Sequence, residues 1–236
     1  NTQELQLLTR WKFFPKTAVF VDVRYWMVDY REGVDLDQNG RPVDGPNRDL
    51  NPLRAELGIQ GLLTSRLALT LRGGYSNSFH DVGDSYAGPI ARADIDYRLE
   101  PRLRLGMGYA FKLGDDSFSN YYTLQRGNVR ATVNLPGRVF VSGRVGIDYY
   151  KYSREGAPVW TLTLPERTEP ILLARAEFGW EPKDWFTLTA AWTFENNRSD
   201  YYYCLGENPG NCFAGDKIDL AEYTRHTVMI SAIGNY

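Results

Sequence analysis

The chain has 236 residues, 43% hydrophobic and 24% charged, with a formal net charge of -2 at pH 7. This balance excludes a disordered chain and, lacking a cationic excess, argues against a nucleic-acid partner. No apolar run is long enough for a spanning α-helix, yet a membrane protein built of strands stays open, because alternating faces average to an ordinary hydropathy.

The aromatic content of 14% and the 22 glycines are high for a soluble enzyme. Asn1-Thr2-Gln3-Glu4 has neither a basic nor an apolar leader region. The expectation is therefore a leader already removed, or a numbering that starts inside a longer precursor.

Read in order, the sequence repeats one phrase: a tight turn, often with Pro and a basic residue, then strict alternation ending on an aromatic ring. It begins at Pro15 (PKTAVFVDVRYW), Ser65 (SRLALTLRGGY), Pro101 (PRLRLGMGYAF), Pro136 (PGRVFVSGRVGIDYY) and Pro182 (PKDWFTLTAAWTF). The repeat is too long for a hairpin of a soluble sandwich, whose strands run ~5–6 residues. It suits two membrane strands of ~9–11 residues with one short turn and one longer loop. Eleven strands are predicted, over 3–14, 16–30, 51–63, 66–79, 89–99, 102–113, 121–135, 138–152, 170–181, 185–197 and 223–236. Longer polar loops fall at 31–50, 80–88, 114–120, 153–169 and 198–222, alternating with the short turns. Short turns on one side and long loops on the other describe an outer-membrane barrel.

The expected fold class is therefore all-β, a transmembrane up-and-down antiparallel β-barrel forming one domain over 1–236. The first and last predicted strands both descend from the loop side. A single-chain bacterial barrel has an even strand count, so at least one strand before Asn1 is expected, for a total of twelve or more.

One face of the strands is free of charge, as in Val19, Val21, Val23, Tyr25 and Met27, or Val139, Val141, Val145, Ile147 and Tyr149. An Arg or Lys facing lipid at mid-depth costs ~2–4 kcal/mol, so this exclusion has a physical cause. Tyr25, Tyr75, Tyr109, Tyr149 and Trp192 approach the long loops, and Trp11, Phe13, Tyr97, Trp180 and Phe186 approach the short turns. They read as two interfacial girdles.

The opposite face is charged. Its basic residues are Arg10, Lys12, Arg24, Arg54, Arg72, Arg92, Arg98, Arg104, Lys112, Arg126, Arg130, Arg144, Arg175 and Arg225. Its acidic ones are Glu4, Asp22, Glu56, Asp94, Asp96, Asp148, Glu177 and Glu195. Two readings stand side by side. The basic excess attracts anions or anionic polymers, with Arg24, Arg54, Arg72, Arg92, Arg98, Arg104, Arg130, Arg144 and Arg175 as candidate transport residues. Alternatively the charges pair across strands into a lattice that braces or plugs the barrel.

LTSRLALTLRGGY, DSYAGPIARADIDYRLEPRLRLGMGYAF, DSFSNYYTLQRGNVRATVNL and RVFVSGRVGIDYY, within about residues 5–195, resemble the β-barrel porin 2 family of Gram-negative outer membranes. The resemblance implies an outer-membrane barrel and, from members associated with exopolysaccharide secretion, a conduit for a polysaccharide. It carries no catalytic motif.

The loops hold further candidates. Asp35, Asp37 and Asn39 in D-x-D-x-N-G match the front half of a calcium loop, although Pro46 stands where its closing Glu belongs. The plain alternative is an Asx-rich turn, and calcium is the one cofactor considered. Cys204 and Cys212, in a Gly/Pro/Asn-rich stretch, suit a small disulfide-closed loop, with two free thiols as the alternative. His80, beside Asp81 and Asp84 and near Ser76, Ser78 and Ser85, is the one candidate for catalysis, against an expectation of no enzyme. His226 reads as interfacial. Tyr121-Tyr122 and Tyr201-Tyr202-Tyr203 could stack on sugars or simply extend the girdle.

The expected function is an outer-membrane channel or conduit exporting an exopolysaccharide or another anionic or neutral polymer. The alternative is a structural barrel anchoring an envelope or motility complex. The partners implied are outer-membrane lipids and lipopolysaccharide, the polymer cargo and other envelope proteins.

Overall fold

Strict alternation allows only one backbone conformation to separate the charge-free residues from the charged ones, and that is the pleated strand. The computed structural model describes residues 2–28, 34–36, 42–44, 50–79, 85–116, 120–153, 167–199, 203–204, 217–218 and 222–234. Its strands are β1 (Thr2–Phe14), β2 (Thr17–Val28), β3 (Val34–Leu36), β4 (Pro42–Asp44), β5 (Leu53–Leu62), β6 (Leu67–Asn77), β7 (Ala87–Glu100) and β8 (Leu103–Asp116). They continue as β9 (Asn120–Leu135), β10 (Val139–Tyr152), β11 (Thr168–Lys183), β12 (Phe186–Asn197), β13 (Tyr203–Cys204), β14 (Lys217–Ile218) and β15 (Tyr223–Gly234). No helix occurs among the described residues.

Eleven of these form one antiparallel sheet in the order β1-β2-β5-β6-β7-β8-β9-β10-β11-β12-β15, each strand beside the long strand that follows it in the chain. Two short pairs, β3 with β4 and β13 with β14, stand apart from it within the loop regions. All eleven predicted strands are present. The bounds differ by a few residues at the ends: β8 and β11 run past their predicted loop ends, while β5 and β6 fall short of theirs. Asp116 pairs with Asn120, and Glu169 pairs with Tyr150 inside the sheet although its neighbourhood reads as loop.

The sheet is not closed: β1 pairs with β2 alone and β15 with β12 alone. Both edge strands run in the same direction. The register nevertheless walks steadily. Trp11, near the turn end of β1, is level through Val19, Ile59, Leu71 and Ala93 with Tyr109, halfway along β8. A row perpendicular to the strands therefore crosses the sheet on a diagonal, which is the stagger that strands tilted around a barrel axis require.

The short turns are built locally. Thr64 accepts the backbone N–H groups of Arg66 and Leu67 on its Oγ1, at 3.2 and 3.0 Å. In the turn after β9, Gly137 has φ +81, where a side chain would be strained, and Arg138 follows at φ +61. Register shifts sit at the turn ends, between Lys12 and Phe14, Arg98 and Glu100, and Trp180 and Lys183. Bulges there strengthen the local twist.

Burial is inverted relative to a soluble domain. The uncharged face carries exposed Leu7, Leu57, Met107, Val129, Val145, Ile147 and Phe178, whereas Asp22, Asp148 and Glu169 are buried on the other. The charged face is concave: Arg54 Nη2 of β5 donates to the Leu113 carbonyl of β8, three strands away, at 3.3 Å. Large inward side chains fit because a glycine faces them across the ladder. Phe20 pairs with Gly58 and Phe140 with Gly179, and a Cβ at either glycine would lie 2.1 Å from the ring. Gly58→Ala is expected to destabilise the protein by about 1.5 kcal/mol by displacing the Phe20 ring, whereas Gly73→Ala, with nothing within 4 Å of its Cβ, is expected to be near neutral. Urea unfolding of the two variants checks this.

Candidate functional site: the charged inner face

Period-2 alternation and the register together place Arg24, Arg54, Arg72, Arg92, Arg98, Arg104, Arg130, Arg144 and Arg175 on one face. Several are direct cross-strand neighbours: Arg24 with Arg54, Arg72 with Arg92, Arg98 with Arg104, and Arg144 with both Arg130 and Arg175. Like charges opposite one another are destabilising unless counter-charge is supplied.

Much of it comes from carboxylates on the same face. Asp22 accepts from Arg24 Nη2 at 2.8 Å and from Gln6 at 2.9 Å. Asp94 accepts from Arg92 Nε at 2.5 Å, and Glu177 from Arg175 Nη2 at 2.5 Å. These three ion pairs join residues two apart on one strand, which the pleat sets side by side. Two others cross strands. Arg126 donates through Nε to Asp148 at 2.7 Å and also through Nη2, and Arg130 reaches over β8 to both oxygens of Asp96 at 2.7 Å. At the sheet edge, Arg225 donates to Glu195 at 2.5 Å, and Tyr223 donates to the same carboxylate. Arg98, Arg104 and Arg144 have no ion pair among the described residues. The bracing lattice and the cationic excess thus coexist on one surface, the first holding the second in place.

Aromatic side chains also point inward, and of these the sequence reading singles out Tyr122 alone. Arg72 lies over the Phe20 ring at 4.7 Å, and Arg54 over Trp26 at 5.6 Å. Towards the loop end, Tyr150 and Tyr152 stack at 6.3 Å and Tyr122 tilts against both, with Arg167 over Tyr152 at 4.2 Å. The even-numbered position of each ring on its strand was the available signal. Guanidiniums held against aromatic faces are fixed in direction as well as position.

The loop candidates fare differently. Ser78, completely buried, accepts the Tyr86 backbone N–H at 2.9 Å, and Ser76 donates to the Leu53 carbonyl at 3.3 Å. Ser78 is thus engaged in holding the β6–β7 connection, and Ser76 in tying β6 to β5. Tyr86 donates its hydroxyl to the Pro89 carbonyl at 2.8 Å, and burial, then the neighbouring Tyr121 and Tyr75, push its phenol up, keeping that donor protonated. His80, Asp81 and Asp84 lie outside the described residues. So do Asp37 and Asn39, while Asp35 falls in β3 with Val43 opposite. Cys212 lies outside them too, and Cys204 falls in β13 opposite Lys217. Tyr201 and Tyr202 are likewise outside. His226 stands on the outer face between Trp192 and Phe194, with ring centroids 5.9 and 5.2 Å away.

No known protein family, curated protein or solved structure matches the chain.

Proposed function

We propose that this sheet is the wall of a transmembrane β-barrel in a Gram-negative outer membrane. Its charged face lines a conduit for an anionic or neutral polymer such as an exopolysaccharide, and the protein is a passage rather than a catalyst. The observation that carries the reading is the inversion of burial: exposed Leu, Val, Ile and Met over the uncharged face, and buried Asp and Glu on the charged one. Lipid covers such an outer face and water fills such an interior. The diagonal register and the exposed Tyr75, Tyr109, Tyr149, Trp180 and Trp192 along the outer face add support. Outer-membrane lipids and lipopolysaccharide are the partners of that face in this reading.

The paired charges favour a second role, an anchoring barrel whose lattice fills its own lumen for an envelope or motility complex. Recording currents from the full-length protein in planar bilayers separates the two. The conduit reading expects an open, anion-preferring conductance whose selectivity weakens or reverses in Arg72→Glu and Arg144→Glu. Inserted protein that passes no current would reject the conduit and leave the anchor.

A further inference from the structure

We propose that Arg54, Arg72 and Lys112 form a preorganised oxyanion site on the inner face, one that takes a phosphate, sulfate or carboxylate group. The site rests on the reading of this face as water-accessible.

The first observation is a pair of orphaned donors. The Nε–H groups of Arg54 and Arg72 are both buried, and neither has an acceptor among the described residues. Donors withdrawn from water and left unmet are costly, so an acceptor supplied by a ligand is the arrangement that satisfies them. These two arginines are also not free to swing towards solvent. Arg72 is laid on Phe20, which itself packs over Gly58, while Arg54 is pinned between Trp26 and the Leu113 carbonyl.

The second observation is the distribution of charge. Arg92 is the cross-strand neighbour of Arg72, and Lys112 lies within electrostatic reach of Arg54, Arg92 and Arg126. The nearby carboxylates are committed elsewhere: Asp22 to Arg24, Asp94 to Arg92 and Asp148 to Arg126. Glu56, on the rung that also carries Asp22, is the carboxylate left beside three cations that have no ion pair among the described residues. Asp22, already held by Arg24, is within electrostatic reach of Arg72 as well, but Glu56 and a shared Asp22 still do not balance three cations. An oxyanion would meet the orphaned N–H groups and the excess charge together, and the planar fork of each Arg suits two oxygens of one ligand.

The test is calorimetric titration of the purified full-length protein in detergent with sodium sulfate, sodium phosphate and sodium glucuronate at constant ionic strength, with chloride as control. Saturable binding of at least one oxyanion is expected, weakened about tenfold or more in Arg72→Gln and in Lys112→Gln and unchanged in Arg138→Gln, whose guanidinium is paired with Asp184 at the short turns. Glucuronate binding more tightly than sulfate or phosphate would assign the site to an acidic sugar, and the reverse order to a free inorganic anion. Equal affinity in all variants, or heats that never saturate, would overturn the site. If Arg72→Gln fails to fold, Lys112→Gln alone decides. Binding in detergent needs no open conduit, so a silent bilayer recording leaves this inference standing, and conductance without saturable binding removes it alone.

Discussion

Val145→Arg is expected to destabilise the protein folded into phospholipid vesicles by about 2–4 kcal/mol. Val145 sits halfway along β10, half exposed, with Val129 and Ala174 beside it on the same face. On the surface of a soluble protein, an exposed valine replaced by arginine costs within roughly 0.5 kcal/mol, since water receives the guanidinium. In a hydrocarbon environment the same group must be desolvated, or the bilayer must thin around it. The two environments thus differ in the expected effect by several-fold, which a urea titration resolves. Ser142→Arg serves as the control: Ser142 faces inward opposite Glu177, so its arginine gains a partner and is expected to cost little. If Val145→Arg proves neutral in vesicles, the uncharged face is not in lipid.

Asp148→Asn is expected to cost about 2 kcal/mol, in the range of hydrogen bonds made to charged groups. Asp148 is 3% exposed and receives two donors from Arg126. The substitution preserves shape but leaves a cation without its counter-charge on the rung that already holds Arg92 and Arg72. The loss arises from the stranded guanidinium more than from the lost attraction. The double variant Arg126→Gln/Asp148→Asn should therefore recover a large part of it, a coupling that a double-mutant cycle in equilibrium unfolding measures directly.

The sheet was legible because each long strand keeps one face uncharged. Val19, Val21 and Val23 against Asp22 and Arg24 state a period of two without ambiguity, and Pro15, Pro136 and Pro182 mark where it restarts. The pairs Arg92–Asp94 and Arg175–Glu177 were equally readable, since residues two apart on a strand share a face. Contacts between strands were not. Phe20 over Gly58, Arg130 reaching Asp96 and the triple arginine row of Arg130, Arg144 and Arg175 depend on register. Register is settled jointly by turn lengths and by the bulges near Lys12, Arg98 and Trp180, which leave no periodic trace. The loop ends misled for another reason. Asp116, Asn120 and Glu169 belong to polar stretches that look like turns, but backbone pairing does not require apolar side chains, and the ladder continues through them.

The diagonal register has a consequence for how charge is presented. Arg10, Arg72, Arg92 and Arg126 occupy one row, yet Arg10 belongs to the turn half of β1 and Arg126 to the loop half of β9. Residues level in the ladder thus stand at successive depths, like treads of a spiral staircase. A ring of arginines at one height would make a single deep well that captures an anion and holds it. In the conduit reading proposed above, a winding stripe would instead hand the anion from tread to tread, each strong enough to attract and shallow enough to release, as conduction through multiple sites requires.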